Sequence, residues 1–273
     1  MSRQTPPTLG EIRSAHSWKR DYERYMPVSR YIFRPLGFLV TWVAVRIGLT
    51  TEAVSWLSGI IGAAACLCLI QGRPGMVPLG LALLLVFNLL DCVDGSIART
   101  MKTENIYGKF LDSIMGDLVD FAFFFAVGIM AFQNPHLLLQ ASPPFWLAVG
   151  CVTAFVYIFL RHVEMLFEYQ IYSAEIAPSP DGNIPPDAGG PLRGNDTDGS
   201  PGTETGGTDW KGIARLIDRN IRVRESIYVV LILAVILRCV DIFLLFYCIY
   251  LLLRAGLSVV VYTSRARRLR DGQ

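Results

Sequence analysis

The chain has 273 residues, 52% of them hydrophobic and only 18% charged, with a formal net charge of +2 and a mean hydropathy of +0.41. Soluble domains carry about 25% charged residues, so a water-soluble globule is excluded. Six cysteines form no C-x-x-C pair, and three histidines (His16, His136, His162) lie far apart, which argues against a disulfide-stapled secreted domain and a zinc finger.

Charge is unevenly spread. Residues 1–50 carry eight Lys/Arg against three Asp/Glu, and the tail after Tyr262 carries four Arg against one Asp. Residues 1–30 read as a polar cytoplasmic N-terminus, with no apolar core before a small-residue cleavage site and hence no signal peptide. Residues 31–50 read as an interfacial amphipathic helix, with Arg34 and Arg46 toward headgroups and Phe38, Leu39, Trp42 and Val43 toward acyl chains. Read instead as a seventh span, this segment would put the termini on opposite sides and spoil the charge pattern.

A helix needs about 20 apolar residues to cross a hydrocarbon core of about 30 Å. Six runs qualify: 52–71, 76–98, 109–133, 144–163, 221–238 and 241–262. The fifth is short unless it begins near Asp218, and only Arg238-Cys239-Val240-Asp241 divides it from the sixth. The expected fold class is therefore all-α, a polytopic membrane protein with six transmembrane helices within residues 51–262, plus the N-terminal interfacial helix. Six spans place the N-terminal region, Arg99, Lys102, Lys109, the 164–224 connection and the basic tail 263–273 on one side. The opposite side receives only Arg73 and Arg238. Excess Lys and Arg mark the cytoplasmic face, so both termini are expected there, in a bacterial cytoplasmic membrane. Within the long connection, residues 178–208 hold six Pro and eight Gly, and read as a disordered insertion because they cannot bury enough surface to offset ordering.

The chemistry gathers in Asn88–Phe121, NLLDCVDGSIARTMKTENIYGKFLDSIMGDLVDF. Asp91 and Asp94 are three apart and share a helix face, where the second span leaves the membrane. Asp112, Asp117 and Asp120 follow. Carboxylates on neighbouring helix ends repel unless cations hold them, and oxygen-only donors favour Mg²⁺, Mn²⁺ or Ca²⁺ over zinc. Gly95 and Ala98 keep the helix surface low beside the acids, and Gly108 does the same on the facing helix. Arg99, Lys102 and Lys109 supply positive charge suited to a polyphosphate, although each also reads as an interfacial anchor.

The spacing D-x2-D-G-x2-A-R-x8-G-x3-D, carried by Asp91, Asp94, Gly95, Ala98, Arg99, Gly108 and Asp112, resembles the signature of the CDP-alcohol phosphotransferase family. The resemblance implies a six-helix membrane transferase with an interfacial N-terminal helix. It moves a substituted phosphoryl group from a CDP-alcohol to an alcohol or alcohol-phosphate hydroxyl, releasing CMP in phospholipid synthesis. It implies Mg²⁺ or Mn²⁺, two ions by the family pattern, held by Asp91, Asp94, Asp112 and a fourth Asp that also accepts the hydroxyl proton. It implies donor binding at Gly95, Ala98, Arg99 and Gly108, a bilayer environment, homodimerisation and no nucleic-acid partner.

Two features depart from the pattern. The family's fourth Asp falls on Gly116, and the acid comes one residue late as Asp117. In a straight helix Asp117 points about 140° from Asp112, so a one-residue π-bulge eased by Gly116 is expected to bring it back; Asp120, about 80° off, is the second choice. In addition, Leu49-Thr50-Thr51-Glu52-Ala53-Val54-Ser55 keeps only the outline of the family's first-span turn. On the acceptor side, Arg161, on one face with Glu164 and Glu168 at the cytoplasmic end of the fourth span, and Arg254, which interrupts the last span, are candidates for an anionic partner, CDP-diacylglycerol being the favoured donor. Two rivals stay open. One is a cation transporter, which would place acids near the bilayer midplane. The other is a membrane homologue left weak or inactive by the displaced acid.

Overall fold

A computed structural model describes residues 6–17, 26–134, 138–176, 217–218 and 220–271; the 178–208 insertion lies outside them. Every regular element among the described residues is helical. Helix α1 (Leu9–Ala15) opens with a capping box between Thr8 and Glu11, which satisfies two of the amides that a helix start leaves open. A wide π-helical turn, Ser29–Phe33, leads into α2 (Arg34–Arg46). Pro35 has no N–H to return to the preceding turn, and the widened backbone just before it leaves room for its ring.

Five long helices carry the bundle. They are α3 (Thr51–Ile70), α4 (Met76–Met101), α5 (Ile106–Gln133), α6 (Pro143–Ile176) and, after the short α7 (Arg224–Ile236), α8 (Val240–Asp271). All five are long and apolar enough to cross a membrane, and rows of large apolar side chains such as Ile60, Leu67, Phe155 and Leu253 face outward. The fifth expected run, 221–238, behaves differently. It forms a helix of 13 residues, about 20 Å long, preceded by helical residues at 217–218 and 220–222 and broken by a bend at Val223. The early start near Asp218 is therefore present, and the bend divides it from α7.

Small residues set the packing. Helix α3 buries Ser55, Ser58, Gly59, Gly62, Ala65 and Cys66, a low face on which both α4 and α5 rest. A Cβ on Gly62 would meet Val119 at 2.6 Å and Phe87 at 3.1 Å, and one on Gly128 would stand 2.7 Å from the Cα of Gly150, where α5 crosses α6. Below the acids, Phe123, Phe124, Tyr228, Phe243 and Tyr247 are fully or almost fully buried where α5, α7 and α8 meet.

The N-terminal segment lies against the far end of α4. Ala44, Val54, Val93 and Ile97 form a small core there, while Tyr31, Ile32, Leu36, Leu39, Val43 and Ile47 are exposed along α2. Leu39 and Val43 thus face outward as expected. Phe38 does not, since its ring meets the buried His16 edge-on at 5.6 Å between centroids. Trp42 is half-buried, with the Arg46 guanidinium 3.6 Å from its ring centroid.

Candidate active site

Helix α4 ends with Lys102 in the left-handed region (φ 54°) and the Thr103 amide donating to the Ala98 carbonyl at 2.9 Å. Such a cap normally takes glycine. After two more residues the Asn105 side chain accepts from the Gly108 amide at 2.7 Å and starts α5. This tight reversal sends the two helices back side by side. Both lean on α3 more than on each other, which leaves a cleft with α3 as its floor. Gly108 therefore serves the start of the helix: a Cβ there would meet Asn105 Oδ1 at 3.4 Å.

Asp94 lies deepest, only 2% exposed. Its Oδ2 accepts from Ser55 Oγ on α3 at 2.7 Å, and its Oδ1 from the Gly95 amide. Asp91 and Asp112 are near enough for their charges to act on it. The Arg99 guanidinium folds back over Gly95, with Nη1 and Nη2 at 3.1 and 3.2 Å from where a Cβ would stand. Its buried Nε has no hydrogen-bond partner among the described residues. Ala98 is buried beside it. The motif thus assembles an acidic pair with a cation over a side-chain-free surface.

The fourth acid is placed otherwise than expected. Helix α5 runs regularly from Ile106 to Gln133, so the π-bulge is absent. The backbone keeps its hydrogen bonds, and Asp117 turns toward α6, where its Oδ1 accepts from Arg161 Nε at 3.1 Å. Asp120 is bound into a second group. Arg224, the first residue of α7, donates from Nε and Nη2 to Asp120 at 3.0 Å each, and its Nη1 forms an ion pair with Asp91 Oδ1 at 2.9 Å. Tyr157 donates to Asp120 Oδ2 at 2.7 Å and Tyr228 to Oδ1 at 3.4 Å. The Phe87 ring centroid lies 5.0 Å from the guanidinium carbon. Gly116 makes the reach possible, because a Cβ there would stand 2.8 Å from Arg224 Nη2.

Next to this group opens a cavity of about 160 Å³ between α5, α6, α7 and α8, whose polar lining is Tyr157, Arg161, Glu164, Arg222, Tyr247 and Tyr250. Arg254 is set behind it, 3.2 Å from Asp218, which also pairs with Arg222 and accepts from Tyr250 at 2.7 Å. Of the two arginines expected on the acceptor side, Arg161 lines the cavity and Arg254 meets an acid.

A family model, CDP-alcohol phosphatidyltransferase, matches residues 37–179. The chain belongs to the CDP-alcohol phosphatidyltransferase family. It is thereby a transferase of substituted phosphate groups. The match runs from within α2 through α6 and includes the whole acid motif, and Arg224 lies beyond it. No curated protein matches the chain.

Members of this family generally depend on a divalent cation. Asp91, Asp94 and Asp112 carry the hard oxygen donors such an ion takes, but among the described residues no three His, Cys, Asp or Glu side chains are gathered to hold one. Asp91 Oδ1 is held by Arg224, and Asp117 is drawn toward Arg161. Reading the sequence singled out neither Ser55 nor Arg224. Ser55 is one small hydroxyl in an apolar run, and Arg224 looks like an ordinary charged residue before a hydrophobic stretch.

Proposed function

We propose that the cleft between α4 and α5 binds a CDP-alcohol and passes its phosphoryl-bearing group to a small polar alcohol, with CMP leaving. What supports this reading is the family match together with the junction of α4 and α5, where the charges of Asp91 and Asp112 act on the buried Asp94 and Arg99 folds over Gly95. Small residues let a pyrophosphate approach the backbone, and the Arg99 donors offer it charge-assisted hydrogen bonds. Asp91, Asp94 and Asp112 would hold a divalent ion such as Mg²⁺ or Mn²⁺, with Asp117 a further candidate. Such an ion supplies charge neutralisation of the pyrophosphate and of the departing CMP oxygen. The chain's own work is positioning and electrostatics.

The cavity behind Arg161 suits the acceptor. A volume of about 160 Å³ has room for a polar alcohol or its phosphate, in keeping with CDP-diacylglycerol as the donor. Arg161 and Arg222 would attract an anionic acceptor, and Arg254 would strengthen their field from behind Asp218. Asp117 shares Arg161 with that cavity and is the residue we assign as acceptor of the hydroxyl proton. In a bilayer, α7 with the turn before it would complete a sixth crossing. Residues 31–50 would then lie along the cytoplasmic interface, exposed apolar side chains toward lipid, with both termini and the site on the cytoplasmic side.

The test uses full-length protein in nanodiscs with Mg²⁺ and labelled CDP-diacylglycerol, CDP-choline or CDP-ethanolamine, each with and without polar alcohols and alcohol phosphates. CMP release is expected with CDP-diacylglycerol and one acceptor. Absence of CMP with every donor and acceptor overturns the reading, and carboxylate-dependent cation flux in its place would support a transporter.

A further inference from the structure

We infer that Arg224 is a positioning residue of this transferase, a clamp that stands on Asp120 and holds the Asp91 carboxylate in place at the α4–α5 junction. The inference rests on the cleft proposed above being the catalytic site.

Three observations lead to it. First, Arg224 joins the two walls of the cleft. Its Nη1 pairs with Asp91 Oδ1 of α4 at 2.9 Å, and its Nε and Nη2 donate to Asp120 of α5 at 3.0 Å each. The guanidinium is a rigid planar fork, so two nitrogens fixed on one carboxylate fix the direction of the third. Second, the anchor is itself held. The Asp120 side chain is 12% exposed against 26% for Asp91, and it also accepts from Tyr157 of α6 at 2.7 Å and Tyr228 of α7 at 3.4 Å. Order is therefore passed from the better-held acid to the freer one. Third, the chain is shaped for this side chain. A cation at the first residue of a helix faces the positive end of the helix dipole, so α7 itself does not favour Arg224 there; the two acids do. Gly116 leaves α5 bare where the guanidinium crosses, since a Cβ would stand 2.8 Å from Nη2, and the Phe87 ring packs against its carbon. Gly116 also stands where the family pattern has its fourth acid, so a side chain at that position and this placement of Arg224 exclude one another.

The experiment measures CMP release by full-length protein in detergent, with the donor and acceptor found active above, each variant held well below its unfolding midpoint. Arg224→Ala frees Asp91 to swing, and a misplacement of about 1 Å costs about a hundredfold. That loss is expected in kcat, with KM for either substrate little changed. Millimolar guanidinium ion is expected to restore kcat, while urea, neutral and of the same shape, does not. Arg224→Lys keeps the charge without the fork and should fall between. Adding Asp120→Asn to Arg224→Ala should cost nothing more, because Asp120 acts through Arg224. Wild-type kcat in Arg224→Ala, a loss that guanidinium does not recover, recovery by urea, or a further loss from Asp120→Asn overturns the clamp. If Arg224→Ala does not fold, Gly116→Ala decides, since it displaces Nη2 and leaves every acid in place: a lowered kcat supports the clamp and an unchanged one overturns it. An active wild type with unaffected variants overturns the clamp alone. A wild type that releases no CMP with any donor overturns the proposed function, and the clamp falls with it.

Discussion

Gly116→Ala puts the geometry around Arg224 to a quantitative trial. The added methyl would stand 2.8 Å from Arg224 Nη2, against about 3.5 Å or more for an unstrained contact. The guanidinium must withdraw by roughly 0.7 Å, and its 3.0 Å bond from Nη2 to Asp120 then passes beyond hydrogen-bonding distance. A hydrogen bond to a charged group is worth about 1.5–3 kcal/mol. Replacing glycine by alanine inside a helix returns about 1 kcal/mol. The two effects oppose, and the loss wins by about 0.5–2 kcal/mol. Thermal unfolding in detergent, followed by tryptophan fluorescence, should show a lower midpoint for the variant. CMP release should fall about tenfold for each 1.4 kcal/mol of the clamp that bears on the transition state. A variant that is more stable by the full helix-propensity gain, and equally active, would refute the clamp.

Ser55→Ala removes the 2.7 Å donor to the buried Asp94, so turnover should drop by about tenfold or more through loss of a charge-assisted bond; unchanged kcat would show that Asp94 is oriented by something else. Gly128→Ala places a Cβ 2.7 Å from the Cα of Gly150. Backbone cannot rotate aside, so the variant should lose about 1–3 kcal/mol, read as a lower unfolding midpoint. Arg161→Gln should raise KM for an anionic acceptor about tenfold, one lost charge-assisted contact, and leave KM for the CDP-alcohol unchanged; equal changes in both would remove Arg161 from the acceptor side. Asp117→Asn should lower kcat with little change in either KM, and full activity would take the proton-accepting role away from it.

Much of the molecule was legible from residue order because lipid solvent imposes simple rules. Apolar runs of sufficient length become helices, since a backbone in hydrocarbon must satisfy its own hydrogen bonds. Five of the six expected runs are long helices, and the α4–α5 reversal follows from Asn105 and the short segment before it. Spacing alone also put Asp91 and Asp94 on one face, with Gly95 and Ala98 beside them. The fifth run is the shorter helix α7, because hydropathy cannot register the bend at Val223 that comes just before Arg224.

The fate of the late acid shows the limit most clearly. Helical arithmetic gave the two directions available to Asp117, toward Asp112 through a bulge or away from it in a regular helix. Which one wins depends on partners more than 40 residues distant. Arg161 on α6 takes Asp117, and Arg224 on α7 fills the bare surface of Gly116 and claims Asp120 together with Asp91. Local sequence determined the helices, the acid spacing and the family. Only the assembled bundle decided which cation each carboxylate meets, because charge pairing is a matter of proximity in space and the chain brings those partners in from distant helices.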